Sequence, residues 1–280
     1  MLEILEHTII DSLKLIPFLL ITYIILETIE HKMSKKTERI IEKSGKLGPI
    51  LGSLLGVIPQ CGFSAVASNF YAARVITKGT LIAIFLSTSD EMLPILISEG
   101  AEIGLILKIL IVKVIIGMAI GFLIDILGKK NKKEEIKGIH EICEHEHCNC
   151  SHTGILKSSL KHTFQIYMYI FGISLILNAI IHSIGADVIA DFIINIPIIG
   201  VIISTLIGII PNCASSVILT QLYLEQIITF GSMMAGLLVN SGIGILVLYR
   251  VNKNIKENTN ILLVLFIVGI TSGVFFDLLI

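Results

Sequence analysis

The sequence predicts an all-α polytopic membrane protein built from two inverted-topology repeats. Each repeat is expected to have three membrane crossings and one re-entrant helical hairpin, which gives about ten helical segments. Three observations predict this fold: the composition is too apolar for a soluble domain, the chain repeats itself, and equivalent loops of the two halves carry opposite charge.

The composition indicates a multi-pass protein of the cell membrane. Hydrophobic residues make up 54% of the 280 residues and charged residues 15%, and the mean hydropathy is +0.89, whereas soluble domains carry about 25% charged residues. The lipid bilayer is therefore the expected partner. A net charge of −1 gives no reason to expect nucleic acid, and a homo-oligomer is left open. The five cysteines do not form the pattern of an extracellular disulfide framework.

Six apolar runs are long enough to cross the hydrocarbon core of a bilayer. The amino terminus, "MLEILEH", is acidic and has no basic segment before the first run, so that run is interpreted as a retained helix and not as a signal peptide. The six runs cover about residues 12–30, 79–97, 104–127, 164–184, 231–249 and 261–279.

A shift of 152 residues brings Cys61 onto Cys213 and superimposes the two halves of the chain without a gap. Matches between apolar residues are expected by chance in such a chain, but matches of proline, glycine, cysteine and aspartate are not. The matched pairs are Pro59 and Pro211, Ser64 and Ser216, Gly48 and Gly200, Gly56 and Gly208, Tyr71 and Tyr223, Thr77 and Thr229, Gly79 and Gly231, Ser89 and Ser241, Gly117 and Gly269, Gly121 and Gly273, and Asp125 and Asp277.

The charges of the loops indicate that the two halves are inverted. The loop "HKMSKKTERIIEKSGK" after the first run has six basic residues, whereas its equivalent, "SIGADVIADFIINI", has none. Because basic residues favour short cytoplasmic loops, equivalent loops lie on opposite sides of the membrane. We expect a first repeat at residues 1–128, a cytoplasmic His/Cys-rich loop at 129–160 and a second repeat at 161–280, with both termini outside.

Residues 47–76 and 199–228 are predicted to form the re-entrant hairpins. Each has about a dozen apolar residues, a break at Pro-x-Cys and about another dozen residues, and 12 residues of helix reach only about 18 Å. Irregular backbone at that depth is tolerated only when it is buried in protein or lines a cavity. The two tips, "PQCGFS" at 59–64 and "PNCASS" at 211–216, are therefore expected to face each other around a central site.

The tips indicate a site for a soft cation or an arsenical. Proline ends the incoming half-helix and the next begins at the cysteine, where the helix start favours the metal-binding thiolate. The alternative is that both cysteines are small packing residues at a crowded helix crossing and bind nothing. Asp125 and Asp277 are interpreted as helix caps. The candidate substrate-binding residues are Pro59, Gln60, Cys61, Ser64, Asn69, Ser87, Thr88, Ser89, Asp90, Glu91, Pro211, Asn212, Cys213, Ser215, Ser216, Gln221, Asn240 and Ser241.

Asp90 and Glu91 differ from the other candidates because their equivalents are Gly242 and Ile243. Charges inside membrane helices are costly, so we expect one of them to be a cation ligand or a proton-coupling carboxylate. The alternatives are a structural salt bridge with Lys113 or a helix end that lies nearer the interface. The serine, threonine and asparagine residues of these helices are equally consistent with helix–helix contacts.

The central loop contains "HEICEHEHCNCSH", a density of imidazole and thiol groups that binds Zn²⁺ or Cu⁺ readily. Its spacing fits no single zinc finger, so a chelating tract that captures or senses metal is predicted. The alternative is a polar linker. The candidate metal ligands are His140, Cys143, His145, His147, Cys148, Cys150 and His152.

These motifs resemble a known family. "IPQCGFS" and "IPNCASS" in duplicated halves, "STSDEMLPI" after the first and a His/Cys-rich middle loop are similar to the ten-helix heavy-metal exporters, whose members are labelled arsenic efflux proteins or manganese transporters. The resemblance extends from about residue 10 to the end. It implies ten helical segments and a central motif of Pro59, Cys61, Pro211 and Cys213. Manganese fits thiols poorly because it prefers oxygen and nitrogen ligands.

Together these features predict a secondary-active transporter that exports a heavy-metal cation or an arsenical from the cytoplasm, with the proton gradient as its drive. No cofactor and no enzymatic activity are expected, and there is no G-x-x-x-x-G-K-[ST] motif for ATP hydrolysis. The alternatives are a permease for an anion or a sulfur compound bound by the opposed helix N-termini, a membrane thiol oxidoreductase, which would lack a C-x-x-C motif, and a structural subunit, which would leave the paired tips unexplained.

Overall fold

The computed structural model describes residues 47–58, 61–89, 92–128 and 197–279, with scattered helical positions between residues 16 and 24 and between 159 and 176. Most of the predicted crossings 12–30 and 164–184 lies outside the described residues. So do Pro59, Gln60, Asp90, Glu91, the central loop and the side chains of Cys61 and Cys213. Every regular element in the described ranges is an α-helix, which confirms the all-α class.

Ten helices lie in the described ranges, and their order in residues 47–128 is repeated in residues 197–279. Two pairs have identical bounds after the 152-residue shift, since Cys61–Ala72 falls on Cys213–Leu224 and Lys78–Ser87 falls on Phe230–Val239. The helices are α1 (Gly48–Gly56), α2 (Cys61–Ala72), α3 (Lys78–Ser87), α4 (Met92–Ser98), α5 (Ile103–Gly128), α6 (Pro197–Ile209), α7 (Cys213–Leu224), α8 (Phe230–Val239), α9 (Gly244–Val251) and α10 (Ile255–Leu279).

The helix boundaries at the tips agree with the sequence. Helix α6 ends at Ile209, residues 210–212 form a turn around Pro211, and α7 begins at Cys213. In the first half α1 ends at Gly56 and α2 begins at Cys61. The predicted helix starts at the two cysteines are therefore confirmed. With 12 residues each, α2 and α7 reach about 18 Å, too short to cross a bilayer core alone.

Two predicted crossings, each long and apolar enough to span a membrane, contain a helix interruption that the sequence did not predict. Helix α3 ends at Ser87, and at Thr88 the backbone leaves the helical region with φ −54° and ψ 129°. Helix α8 ends at Val239, Asn240 has φ −69° and ψ 98°, and Gly242 has φ 55°. Runs of short polar side chains at both points compete with the helix for backbone hydrogen bonds. We call the two interruptions break one (described at residues 88 and 89) and break two (residues 240–243).

The broken helices form the interior of the described structure. Within the part of the chain that the structure describes, four stretches are long and apolar enough to cross a membrane. In an apolar 18-residue stretch of Phe230–Val251, 94% of the stretch is buried, whereas in the equivalent length of Ile103–Gly128 only 17% is buried. Helices α5 and α10 thus present broad apolar faces on the outside, whereas α3–α4 and α8–α9 lie between the other elements.

Equivalent aspartates fix the start of each broken helix. Thr77 caps α3, and Asp125 on α5 accepts hydrogen bonds from Thr77 Oγ1 at 2.6 Å and from the Gly79 amide at 2.9 Å. Asp277 on α10 accepts from Thr229 Oγ1 and from the Gly231 amide, both at 2.9 Å. The predicted capping role of both aspartates is confirmed.

Contacts between the two halves come in pairs that exchange under the 152-residue shift. Helix α2 packs on α9, and α7 packs on α4. Lys78 Nζ donates to Asn260 Oδ1 at 2.6 Å, and at the equivalent positions Lys108 Nζ lies 4.8 Å from the ring centroid of Phe230.

One ionic contact between the halves does not repeat. Arg74, which follows α2 with φ 58°, makes a bidentate pair with Glu257 at the start of α10, at 2.9 and 3.1 Å. The Tyr71 hydroxyl also donates to Glu257. The equivalent positions hold Gln226 and Leu105, which cannot form an ion pair.

Close helix packing at glycine gives a test of the fold. A Cβ atom at Gly121 would lie 2.7 Å from the Gly79 carbonyl oxygen and 2.9 Å from Ala83 Cβ, whereas a Cβ atom at Gly104 on the same helix meets nothing within 4 Å. We expect Gly121→Leu to destabilise the protein by about 1–3 kcal/mol through overpacking. The measurement is the shift in Tm of the purified protein in detergent.

Gly104→Leu is the matched control, because it places the same side chain on the same helix in open space. It should leave Tm unchanged or raise it slightly, since leucine favours helix more than glycine does. Equal Tm values for the two variants would contradict the packing of α3 against α5.

Candidate functional site

The two breaks meet at a small pocket whose wall comes from both halves of the chain. Four of its residues were predicted from the sequence, namely Thr88, Ser89, Ser216 and Asn240. The full lining is Thr88, Ser89, Met92, Lys113, Ser216, Leu237 and Asn240. All of these lie at the centre of the repeat contacts, where α3, α4, α5, α7 and α8 converge.

The hydroxyl groups at break one bind backbone carbonyls. Ser87 Oγ donates to the Ala83 carbonyl at 2.8 Å, and Thr88 Oγ1 donates to the Ile84 carbonyl at 2.8 Å. Ser89 Oγ donates to the carbonyl of Val57, the C-cap residue that follows α1. Break one is thereby attached to the end of the helix that leads into the first tip.

Break two is stabilised by its own side chain. Asn240 Oδ1 accepts a hydrogen bond from the Gly242 amide at 2.9 Å. Gly242 takes a left-handed conformation, which glycine adopts without steric cost. Asn240 is 3% and Ser241 4% exposed, so the polar groups of break two are buried.

Lys113 connects the two breaks. Its ammonium group donates to the carbonyl oxygen of Thr88 in break one and, at 2.8 Å, to the carbonyl oxygen of Leu237 in the last turn of α8. The side chain is 1% exposed. From the sequence, Lys113 was expected only as a partner for Asp90, and that pairing stays a prediction because Asp90 lies outside the described residues.

At the second tip Asn212, which was predicted to bind substrate, caps helix α7. Asn212 Oδ1 accepts from the Ala214 amide at 3.3 Å, and Ser215 Oγ donates back to the Ile210 carbonyl at 3.2 Å. Both side chains are buried, as is Ser216. The amide groups in the first turn of α7 are the ones that a helix start leaves without helical partners.

The first tip is packed against the opposite half. Ser64 and Ser68 of α2 are buried. Ser68 Oγ donates to the Gly244 carbonyl at 2.7 Å, where α9 begins. A Cβ atom at Gly244 would lie 2.7 Å from Ser64 Cβ, so the first turn of α2 lies beside the end of break two. Ser216 of α7 likewise lies with Thr88 and Ser89 at break one.

Several predicted residues lie away from this pocket. Asn69 is buried and donates to the Ala65 carbonyl of its own helix at 3.0 Å, and Gln221 is exposed. Pro211 is partly buried next to the turn. Pro59, Gln60, Asp90, Glu91 and the seven histidines and cysteines of the loop lie outside the described residues, and their roles stay predictions.

Sequence reasoning did not select Met92 and Leu237. An apolar side chain or a backbone carbonyl carries no sequence signal of a binding role, so neither could be found without the position of the breaks. Within the described ranges, no three His, Cys, Asp or Glu side chains lie together as a metal site. The pocket instead combines an ammonium group with hydroxyl, amide and carbonyl groups.

The chain is similar to a known protein family. The family model described as "Putative, 10TM heavy-metal exporter" matches residues 2–202. No curated protein and no solved structure matches the chain. The matched range includes Pro59 and Cys61 but ends before Pro211 and Cys213, so the second tip is related to the first through the internal repeat alone.

Proposed function

The chain belongs to this 10TM heavy-metal exporter family, and from that premise we propose that it is a secondary-active transporter for a heavy-metal cation or an arsenical. The family match carries the class of function, because its description is that of a membrane exporter and not of an enzyme. Apolar helices of 25 and 26 residues support placement in a bilayer as a multi-pass protein.

The substrate site is proposed to lie between the two Pro-x-Cys tips. The start of α2 at Cys61 and of α7 at Cys213 supports this, because each start directs its amide groups and positive dipole end toward the tip. The packing of α2 on α9 and of α7 on α4, each across the two halves, supports a common region for the two tips. Soft thiolates would bind a soft cation or a trivalent arsenical directly.

The two halves, residues 1–128 and 161–280, are proposed to be inverted repeats with re-entrant hairpins. Contacts with α5 support opposite directions for α3 and α8. Helix α3 begins beside Asp125, near the end of α5, whereas α8 begins beside Lys108, near the start of α5. Inverted repeats around a midplane site permit alternating access by rocking one part against the other. The central loop 129–160 would then be cytoplasmic and both termini outside, in the plasma membrane.

Export is the proposed direction because a chelating loop on the cytoplasmic side would bind the metal before transport. Seven His and Cys residues within 13 positions support metal capture by this loop. The transported ion or arsenical is the substrate, and the protein needs no resident cofactor for this mechanism.

A metal and arsenical sensitivity panel tests the function and the site together. Cells that lack their own exporters should gain resistance to one ion or arsenical when they produce the intact chain. Cys61→Ser or Cys213→Ser should each remove that resistance, since losing a thiolate ligand costs at least about tenfold in affinity. The measurement is the growth-inhibiting concentration at equal protein level in the membrane.

Thr271→Ala on the exposed side of α10 is the control, because Thr271 binds carbonyl groups of its own helix. Resistance that survives both cysteine changes would instead favour the alternative function, a permease for an anion or a sulfur compound bound by the opposed helix starts. No resistance to any metal or arsenical, with the protein in the membrane, would contradict the transport function.

Asp90 and Glu91 are proposed to couple transport to protons. Asp90→Asn and Glu91→Gln remove the titrating groups while keeping side-chain size, so at least one should lower transport and flatten its pH dependence. The measurement is the initial transport rate in proteoliposomes across a range of pH. A native pH profile in the double variant would show that neither carboxylate couples transport.

The loop is proposed to hold Zn²⁺ or Cu⁺, which an isolated peptide can test. A peptide of residues 138–154 should bind either ion at neutral pH and release protons as it does so. Calorimetric titration measures both. The same peptide with its three cysteines changed to serine should bind Cu⁺ far more weakly, and a native peptide that binds neither ion would remove the metal-capture role.

A further inference from the structure

The two breaks leave carbonyl oxygens without helical partners. In a continuous helix the Thr88 carbonyl would accept from the amide of residue 92 and the Leu237 carbonyl from that of residue 241. Both helices end before those residues, at Ser87 and Val239. Carbonyls at a helix end carry partial negative charge, and water is absent from the core of a bilayer. The two carbonyls therefore require a donor or a cation.

Lys113 supplies that cation to both breaks at once. Its ammonium group donates to one carbonyl from each half of the chain, and the side chain is almost completely buried. The equivalent residue in the second half is Leu265, which is buried and apolar. One ammonium group therefore serves two breaks that are related by the repeat, and it lies on the wall of the pocket between them.

Carbonyl groups of unwound membrane helices bind coupling ions such as Na⁺ in secondary transporters. An ammonium group presents one positive charge and three donors to the same kind of oxygen ligands. We propose that Lys113 is a built-in cation that occupies the position between the breaks where a free monovalent cation would otherwise bind. It acts as a positioning residue that holds the breaks together, and transport by the native chain requires no free Na⁺ at this position. Only the statement about Na⁺ in transport rests on the proposed transport function.

Replacing Lys113 by alanine should turn the built-in cation into a binding site for a free one. The purified full-length Lys113→Ala variant in detergent should be less stable than the native chain. Its Tm should rise by several degrees, saturably, with NaCl or methylammonium chloride but not with choline chloride at equal ionic strength, because a cation that binds only the folded state stabilises it. Choline is too large to replace the ammonium group.

Three comparisons make the result specific. Lys113→Met fills the space without a charge and should show no cation-specific rise in Tm. The native chain should show none either. Lys108→Ala removes an exposed lysine from the same helix, away from the breaks, and should also show none. If Lys113→Ala does not yield folded protein, Lys113→Ser keeps a polar group, leaves room for the ion and is expected to give the same rise.

A Tm that responds equally to sodium, methylammonium and choline in the alanine and serine variants would overturn the proposal. So would a sodium-specific rise of the same size in the native chain. In proteoliposomes, native transport should be unchanged when choline replaces sodium, and Lys113→Ala should recover part of its lost rate with sodium or methylammonium. If the native chain transports nothing, the proposed function fails, but the Tm comparison still decides whether Lys113 is a built-in cation.

Discussion

Interrupting a helix at membrane depth frees carbonyl and amide groups where no water can satisfy them, and the centre of this structure is arranged around that constraint. Thr88 and Leu237 carbonyls receive the Lys113 ammonium group, Asn240 binds the Gly242 amide, and Ser89 binds the end of α1. The Asn240 contact closes break two on itself, whereas the Lys113 and Ser89 contacts attach the breaks to neighbouring helices. The breaks can exist only because the surrounding helices bury them and supply donors.

Close approach of backbones makes that burial feasible. Gly79 lies against Gly121, and Gly231 lies against Gly273, with an aspartate capping the start of the broken helix at the same point. Small residues let membrane helices approach until their backbones touch. The outer helices α5 and α10 therefore fix the depth and direction of the broken helices, and through them the position of the tips.

The sequence predicted the repeat, the helix starts at Cys61 and Cys213 and the capping by Asp125 and Asp277, because proline, glycine and aspartate have specific backbone roles that survive in the pattern. It did not predict the breaks, because a hydropathy window measures polarity and not backbone conformation. The signal was present in Ser87-Thr88-Ser89 and Asn240-Ser241-Gly242, whose short polar side chains favour non-helical backbone. Lys113 was considered only as a partner for Asp90. Its carbonyl partners exist only because the breaks do, so this contact could not be predicted without the folded chain.

The ion pair of Arg74 with Glu257 has a consequence for the energetics of the two ends of the molecule. Its side chains are only 18% and 17% exposed, so salt screens the pair weakly, and charged hydrogen bonds of this kind contribute about 1.5–3 kcal/mol each. The equivalent end, with Gln226 and Leu105, has no such contact between these positions. If both places had the same contacts, separating the two halves would cost the same free energy at each. The Arg74–Glu257 ion pair makes the electrostatic cost of separation larger at Arg74 than at Gln226.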